Sequence, residues 1–500
     1  MGLILRQGLK TSVGFYLGVV LGAINTLFIS TRFFSTDQLA ISRLLMENSL
    51  IFAAFAHLGA PNIMDRFFAR FKDEEKENNG FLVLLLTFPI IGFIIFSIVY
   101  FVFRVQIQNF YLEKSPSVIP YLWLSLPMTF LWTISMVFEA YSRVNQRTAV
   151  PTFLRETVFR FFNIALIVLL GYGYINFDSF LFLNIGLMAF MAVIMIFYIR
   201  YLGKLYLNFK KINIDRNVLI EIIKYGSILI IGGLGVNFIL FIDRNIIANM
   251  INTESVAIFV VSAYIASIIE IPAKSIKQIA GPVLSNYIYQ NNLVEIAKLY
   301  KKSALNLMLI GGLMLVLITV NIDNLFSILP KSEIYSKGKW IVLIIAFCKW
   351  IEMSLGLNTE MIGFSKHYKV NTYLVIFLAV LVLFLNYWLI PIYGLKGSAF
   401  ATGIIALTAS SFRFVFVYKK FKINPFILKD VWAFVILIVC LCVGLIIPLL
   451  RDDLLGVLLT IALRSVLIIF FFLFFVLKFS ISEDINSLYS LTIKKVKEFR

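Results

Sequence analysis

The sequence predicts an all-α polytopic membrane protein of fourteen transmembrane helices. They form two parallel six-helix repeats plus an extra C-terminal helix pair, with the N and C termini cytoplasmic. Three observations predict it. First, 60% of the 500 residues are hydrophobic and 14% are charged, against roughly 25% charged in a soluble domain, and the mean hydropathy is +0.92. Second, apolar runs of about the 20 residues one bilayer crossing needs recur along the whole chain and leave no room for a soluble domain. Third, the basic residues gather in alternate connections between those runs.

Apolar runs of spanning length fall at 12–32, 39–63, 80–103, 117–139, 150–172, 178–200 and 221–247, then at 255–275, 303–322, 339–361, 370–391, 396–417, 431–450 and 454–477. The first contains 21 uncharged residues, Thr11–Thr31, behind Arg6 and Lys10. It is too long for a signal-peptide core and lacks a small-residue cleavage site, so it is expected to remain as a span. With this count, 30 of the 45 Lys and Arg lie on the side of the N-terminus and 8 on the other. By the positive-inside rule both termini are then cytoplasmic. A net charge of +18 distributed in this way sets membrane orientation and gives no reason to expect nucleic acid as a partner. Cys348, Cys440 and Cys442 all sit inside apolar runs, and His57 and His367 are far apart, so neither a disulfide framework nor a metal site is expected.

The stretch from Tyr225 repeats the beginning of the chain. Asn25 precedes Arg32 by seven residues, followed by Thr36-Asp37-Gln38-Leu39-Ala40-Ile41; Asn237 precedes Arg244 by seven, followed by Thr253-Glu254-Ser255-Val256-Ala257-Ile258. A second echo links Glu139, closing span 4 before a basic elbow, with Glu360, closing span 10. Six spans precede the repeat, and an even number per half makes the repeats parallel. The expected divisions are 1–217 and 218–422 for the two six-helix halves, and 423–500 for the appended pair and basic tail.

Ionisable residues at membrane depth face a cavity or a partner. The basic ones are Arg43, Arg155, Arg160, Arg244, Lys349, Arg413 and Arg464; the acidic ones are Glu47, Glu156, Asp243, Glu270 and Glu352. An excess of cations suits a phosphate-bearing substrate, because guanidinium grips phosphate oxygens in pairs. The substrate-binding candidates are Arg32, at the outer end of span 1, and Arg43, Arg155, Arg160, Arg244 and Lys349. Glu47, Asp243 and Glu352 are the candidates for coupling or ion pairing. Bland alternatives stand beside these. Arg43 and Glu47, and Glu156 and Arg160, are four apart and could pair on one helix face. Arg413, near the inner end of its span, reads as a snorkelling anchor. Arg464, in the appended pair, has no charge nearby in its own helix. Gly14, Gly18 and Gly22, and Gly232, Gly233 and Gly235, permit close helix packing, and Pro89, Pro127, Pro272 and Pro282 mark expected kinks.

Phe-Ile-Asp243-Arg244 in span 7, and Asn386-Tyr-Trp-Leu-Ile-Pro391-Ile-Tyr-Gly394-Leu-Lys-Gly397-Ser-Ala-Phe-Ala-Thr402 joining spans 11 and 12, together with the whole arrangement of spans, resemble the Wzx-type polysaccharide flippases of the multidrug/oligosaccharidyl-lipid/polysaccharide (MOP) superfamily. The resemblance covers essentially the entire chain. It implies a bacterial inner-membrane protein, not an enzyme and without a bound cofactor. Such a protein moves polyprenyl-pyrophosphate-linked oligosaccharide from the cytoplasmic to the periplasmic leaflet by alternating access through a cationic cavity. It also implies coupling to an H+ or Na+ gradient, and membrane lipids and other polysaccharide-assembly membrane proteins as partners. A peptidoglycan lipid-precursor flippase and a MATE-type multidrug or cation antiporter are the rival readings. A glycosyltransferase or ligase is disfavoured by short outer connections and the absence of a DxD stretch.

Overall fold

The computed structural model describes residues 14–73, 75–212, 215–448, 453–487 and 489–490, and no strand occurs among them. Eleven helices among the described residues are long and apolar enough to cross a membrane, or twelve if the bent pair Ser332–Ser354 and Asn358–Phe364, 53° apart, is one span. The chain is a multi-pass membrane protein. Of the fourteen expected spans, two fall outside that set. The stretch 150–172 is interrupted by a π turn at Leu154–Val158, and 221–247 lies within one 35-residue helix, Arg216–Met250. Arg6, Lys10, Arg451 and the tail from 491, which entered the orientation count, lie outside the described residues.

The chain divides into two compact units, Met1–Val260 and Val261–Arg500. The division falls later than the sequence echo at 218 because Arg216–Met250 packs on helices of the first unit.

The first unit contains α1 (Gly14–Phe33), α2 (Thr36–Ala56), α3 (Ala60–Phe71), α4 (Phe81–Val102), α5 (Arg104–Leu112), α6 (Ser125–Val144), α7 (149–171), α8 (Phe177–Tyr201), α9 (Arg216–Met250) and the start of α10 (Thr253–Ser267). Ser35 opens α2 with a capping box, exchanging hydrogen bonds with Gln38 at 3.1 and 3.0 Å, which satisfies N-terminal donors that the helix itself leaves open. α1 and α7 pack backbone to backbone. The Thr157 hydroxyl donates to the Gly14 carbonyl at 3.0 Å, Arg160 donates to the Gly18 carbonyl, and Asn25 donates to Asn163 at 2.9 Å. A Cβ on Gly18 would lie 2.7 Å from the Glu156 backbone oxygen, so Gly18 serves close packing, whereas a Cβ on Gly14 would meet Phe153 at an ordinary 3.6 Å. Both helices widen to a π turn, at Ile24–Ile29 in α1 and at Leu154–Val158 in α7.

α3 is a short amphipathic helix where a basic connection was expected. Ile63, Met64, Phe67, Phe68 and Phe71 are buried against Phe81, Tyr141 and Ile222. Its other face carries Asp65, bound to Arg143 at 2.8 Å, and Arg70, bound to Glu221 at 2.7 Å. The chain enters it through Gly59, whose φ of +76° is a left-handed conformation that glycine adopts without a Cβ penalty. The Gly59 amide donates to Nδ1 of His57 at 3.0 Å. Nδ1 accepts this bond and so carries no proton.

The second unit contains the end of α10, then α11 (Ile271–Tyr289), α12 (Leu293–Ser327), α13 (Lys339–Ser354), α14 (Asn358–Phe364), α15 (Lys369–Tyr393), α16 (Leu395–Phe421), α17 (Leu428–Ile446) and α18 (Leu454–Lys478). The glycines of the 386–402 motif build the turn between α15 and α16. Gly394 has φ +58°, and a Cβ on Gly397 would stand 2.2 Å from the Leu389 carbonyl oxygen. The terminal pair α17–α18 packs on α12 through Leu309, Val320, Leu437, Cys440, Ile468 and Phe472. Arg464 has a structural partner there. It donates to the Ile447 carbonyl at 3.0 and 2.5 Å and to the Val320 carbonyl at 3.0 Å, tying the end of α17 to α12. Hydrogen bonds from a charged donor contribute about 1.5–3 kcal/mol each. Arg464→Ala is therefore expected to lower the thermal unfolding temperature in detergent by several degrees, and an unchanged temperature would mean that these bonds do not hold α17 to α12.

Candidate functional site

A buried polar cluster of the first unit lies on α2 and α9. Arg244 and Glu47 are nearly buried, with side chains 15% and 12% exposed. The Arg244 Nε and Glu47 Oε2 stand 3.6 Å apart, and neither atom has a hydrogen-bond partner. Arg244 reaches this position with its guanidinium 5.8 Å from the Phe241 ring centre and 5.4 Å from that of Phe259, and Nη1 donates to the Leu240 carbonyl one turn back. The aromatic faces stabilise the cation without consuming its N–H donors. Arg43 donates to the Thr26 hydroxyl at 2.9 Å, on the π turn of α1, and lies within electrostatic reach of Glu47. Asp243 is 2% exposed beside Arg244. Arg43, Glu47, Asp243 and Arg244 are thus brought together, with Glu47 facing a cation of another helix.

The remaining first-unit candidates are arranged differently. Arg155 bridges Glu139 at 2.5 Å and Glu156 at 3.1 Å, and Arg160 binds the other oxygen of Glu156 at 2.8 Å. This alternating chain of charges neutralises itself. The four-apart Glu156–Arg160 pairing is present as expected. Arg32 is exposed in the last turn of α1, over the ring of Phe33, a location where the helix dipole favours a cation.

In the second unit Lys349 on α13 forms an ion pair with Glu270, in the turn before α11. Glu352, one turn on from Lys349, makes no direct ion pair among the described residues; Glu270, Lys349, Lys277 and Arg413 surround it electrostatically. Lys277 reaches Glu360 at 3.6 Å. Arg413, read from sequence as an interfacial anchor, lies within electrostatic reach of Glu352 and Glu360. Lys277, Glu360 and Arg413 were missed as site residues. The usable signal was the Glu139/Glu360 echo, since each of these glutamates meets a base in its own unit. Beside this cluster an apolar groove of about 550 Å3 is lined by Trp340, Phe347, Trp350, Phe434, Leu437 and Leu441. Among the described residues no group of three or more His, Cys, Asp or Glu could hold a metal ion.

Solved structures similar to this chain include transporters. The chain superposes on the lipid II flippase MurJ in an inward closed conformation with a TM-score of 0.73 and 14% identity, over 94% of this chain and 98% of that one. It superposes on an inward-facing multidrug-resistance MATE transporter of the MOP superfamily with a TM-score of 0.65 and 15% identity, over 81% of this chain and 94% of that one. For a MOP superfamily transporter from Pyrococcus furiosus, described as having a binding pocket of reversed polarity, the TM-score is 0.57 at 15% identity, over 84% and 95%. No family model matches the sequence. Across 181 residues, 36% of the chain, it is 28% identical to the capsular polysaccharide biosynthesis protein CapF of Staphylococcus aureus, and the match spans 44% of that protein's length. The fold is therefore that of MOP superfamily transporters.

Proposed function

We propose that the chain is a flippase that carries a polyprenyl-pyrophosphate-linked oligosaccharide from the cytoplasmic to the periplasmic leaflet of a bacterial inner membrane by alternating access. In this reading it has fourteen spans, in halves 1–217 and 218–422 with 423–500 appended, and both termini are cytoplasmic. The observation that carries it is the loose Arg244–Glu47 pair. A guanidinium at membrane depth with an unused Nε is poised to exchange a carboxylate 3.6 Å away for a phosphate oxygen, a ligand it binds through paired N–H groups. Arg43 adds positive charge beside the pair in the first unit. Within the second unit Lys349 is a further candidate, and the apolar groove beside α17 suits a polyprenyl tail. Glu47, Asp243 and Glu352 are the carboxylates available for H+ or Na+ coupling, and other membrane proteins of polysaccharide assembly would receive the product. The relative named for capsular polysaccharide biosynthesis supports this substrate class. The likeness to MurJ favours a second reading, a peptidoglycan lipid precursor.

Deleting the gene and identifying the lipid-linked glycan left on the cytoplasmic leaflet separates them. Accumulation of an oligosaccharide repeat unit is expected. Accumulation of the peptidoglycan precursor would install the second reading, and accumulation of neither would remove both.

A further inference from the structure

The connection between α4 and α6 reaches down to the Glu47–Arg244 pair. α5 is exposed or half-buried apart from Tyr111, its single buried residue. Beyond it only Ser115 and Val118 are buried before the chain turns toward α6, so three residues spaced four and three apart hold 104–118 to the bundle. Their partners lie on α2 and the last turns of α9. The Tyr111 hydroxyl donates to Asn245 Oδ1 at 2.5 Å and accepts from Asn48 Nδ2 at 3.5 Å. Ser115 donates to the Ala248 carbonyl at 2.6 Å, and Asn249 donates back to the Phe110 carbonyl at 2.5 Å. Asn48 follows Glu47 and Asn245 follows Arg244 in sequence. With a helical rise of about 1.5 Å per residue, the tyrosine hydroxyl therefore stands at the level of the ion pair.

We infer that 104–118 is a strap that closes one end of the Glu47–Arg244 site and releases α9 in every transport cycle, with Tyr111 as its bolt. The inference rests on the transport reading. A segment held by few buried groups belongs to the low-stability end of a structure, from which moving elements are drawn. The holding bonds are between neutral groups and individually weak. Together they keep the strap shut without making release prohibitive. Opening it frees Asn48 and Asn245 beside the charged pair and gives a polar headgroup a way past the end of α9.

The test is a reversible cross-link. Ser115→Cys and Ala248→Cys are introduced after Cys348, Cys440 and Cys442 are replaced by alanine. The protein is reconstituted in proteoliposomes with a fluorescent polyprenyl-pyrophosphate disaccharide as probe. Transport is expected after reduction and lost at least tenfold after oxidation. Equal transport in both states would overturn the strap. Should the reduced double variant be inactive, a second measurement decides. In nanodiscs, a membrane-impermeant maleimide is expected to label Ala248→Cys several-fold faster when Tyr111→Phe is also present, and an unchanged rate overturns the inference. If Arg244→Ala still transports the probe, the substrate site is wrong, while the cross-link result continues to speak for or against the strap alone.

Discussion

Arg244→Ala abolishes transport of the polyprenyl-pyrophosphate probe, with a loss of roughly 10- to 100-fold expected from a charged hydrogen-bonding contribution of about 1.5–3 kcal/mol. Because removing Arg244 leaves the buried Glu47 with Arg43 as the cation still in reach, the same variant also loses stability, by at most about 3–5 kcal/mol. These two effects separate in the double variant Glu47→Gln/Arg244→Ala, which recovers thermal stability and stays inactive. Arg244→Lys retains the charge but not the planar fork, so partial activity means simple attraction and no activity means bidentate binding. Lys349→Ala, which strands Glu270 in the second unit, follows the same pattern. A fully active Glu47→Gln/Arg244→Ala protein would take Arg244 out of the substrate site and leave it as half of a structural pair.

The second large effect is on assembly. Gly18→Val is expected to destabilise the protein by about 3 kcal/mol, at the upper end of overpacking costs, because even its first carbon would stand 2.7 Å from the Glu156 backbone. Separating α1 from α7 also breaks the bonds to the Gly14 and Gly18 carbonyls. Thermal unfolding in detergent measures it directly. Gly186→Ala is the matched control: nothing lies within 4 Å of its Cβ position, so it should unfold at the parent temperature or slightly above. If both variants melt alike, the close α1–α7 approach does not hold the first unit together.

The helical membrane architecture was legible in the sequence because apolar length and charge placement are averaged over twenty residues at a time. The glycine stripe of α1 was legible too, since small residues at helical spacing admit few uses. Pairing of the charges was not. Lys349 meets Glu270, 79 positions away, while Glu352 one turn along its own helix makes no direct pair. Arg155 finds Glu139 sixteen positions back. Local spacing picks up four-apart neighbours, as it did for Glu156 and Arg160, but says nothing of which other helix stands opposite. The π turns were equally hidden, because one extra residue in a turn leaves composition unchanged. Arg464 shows the same limit from the other side: its partners are main-chain carbonyls, which every residue type supplies.

The seam between α1 and α7 has an evolutionary consequence. Thr157 and Arg160 grasp peptide oxygens, and the glycines they face contribute only the absence of bulk. Mutation can rewrite α1 elsewhere along this surface, provided Gly18 stays a glycine and the Asn25–Asn163 bond is kept. Divergence of this kind erases sequence identity while leaving the helix pair in register, and so gives chains that superpose along nearly their whole length yet share only about one residue in seven.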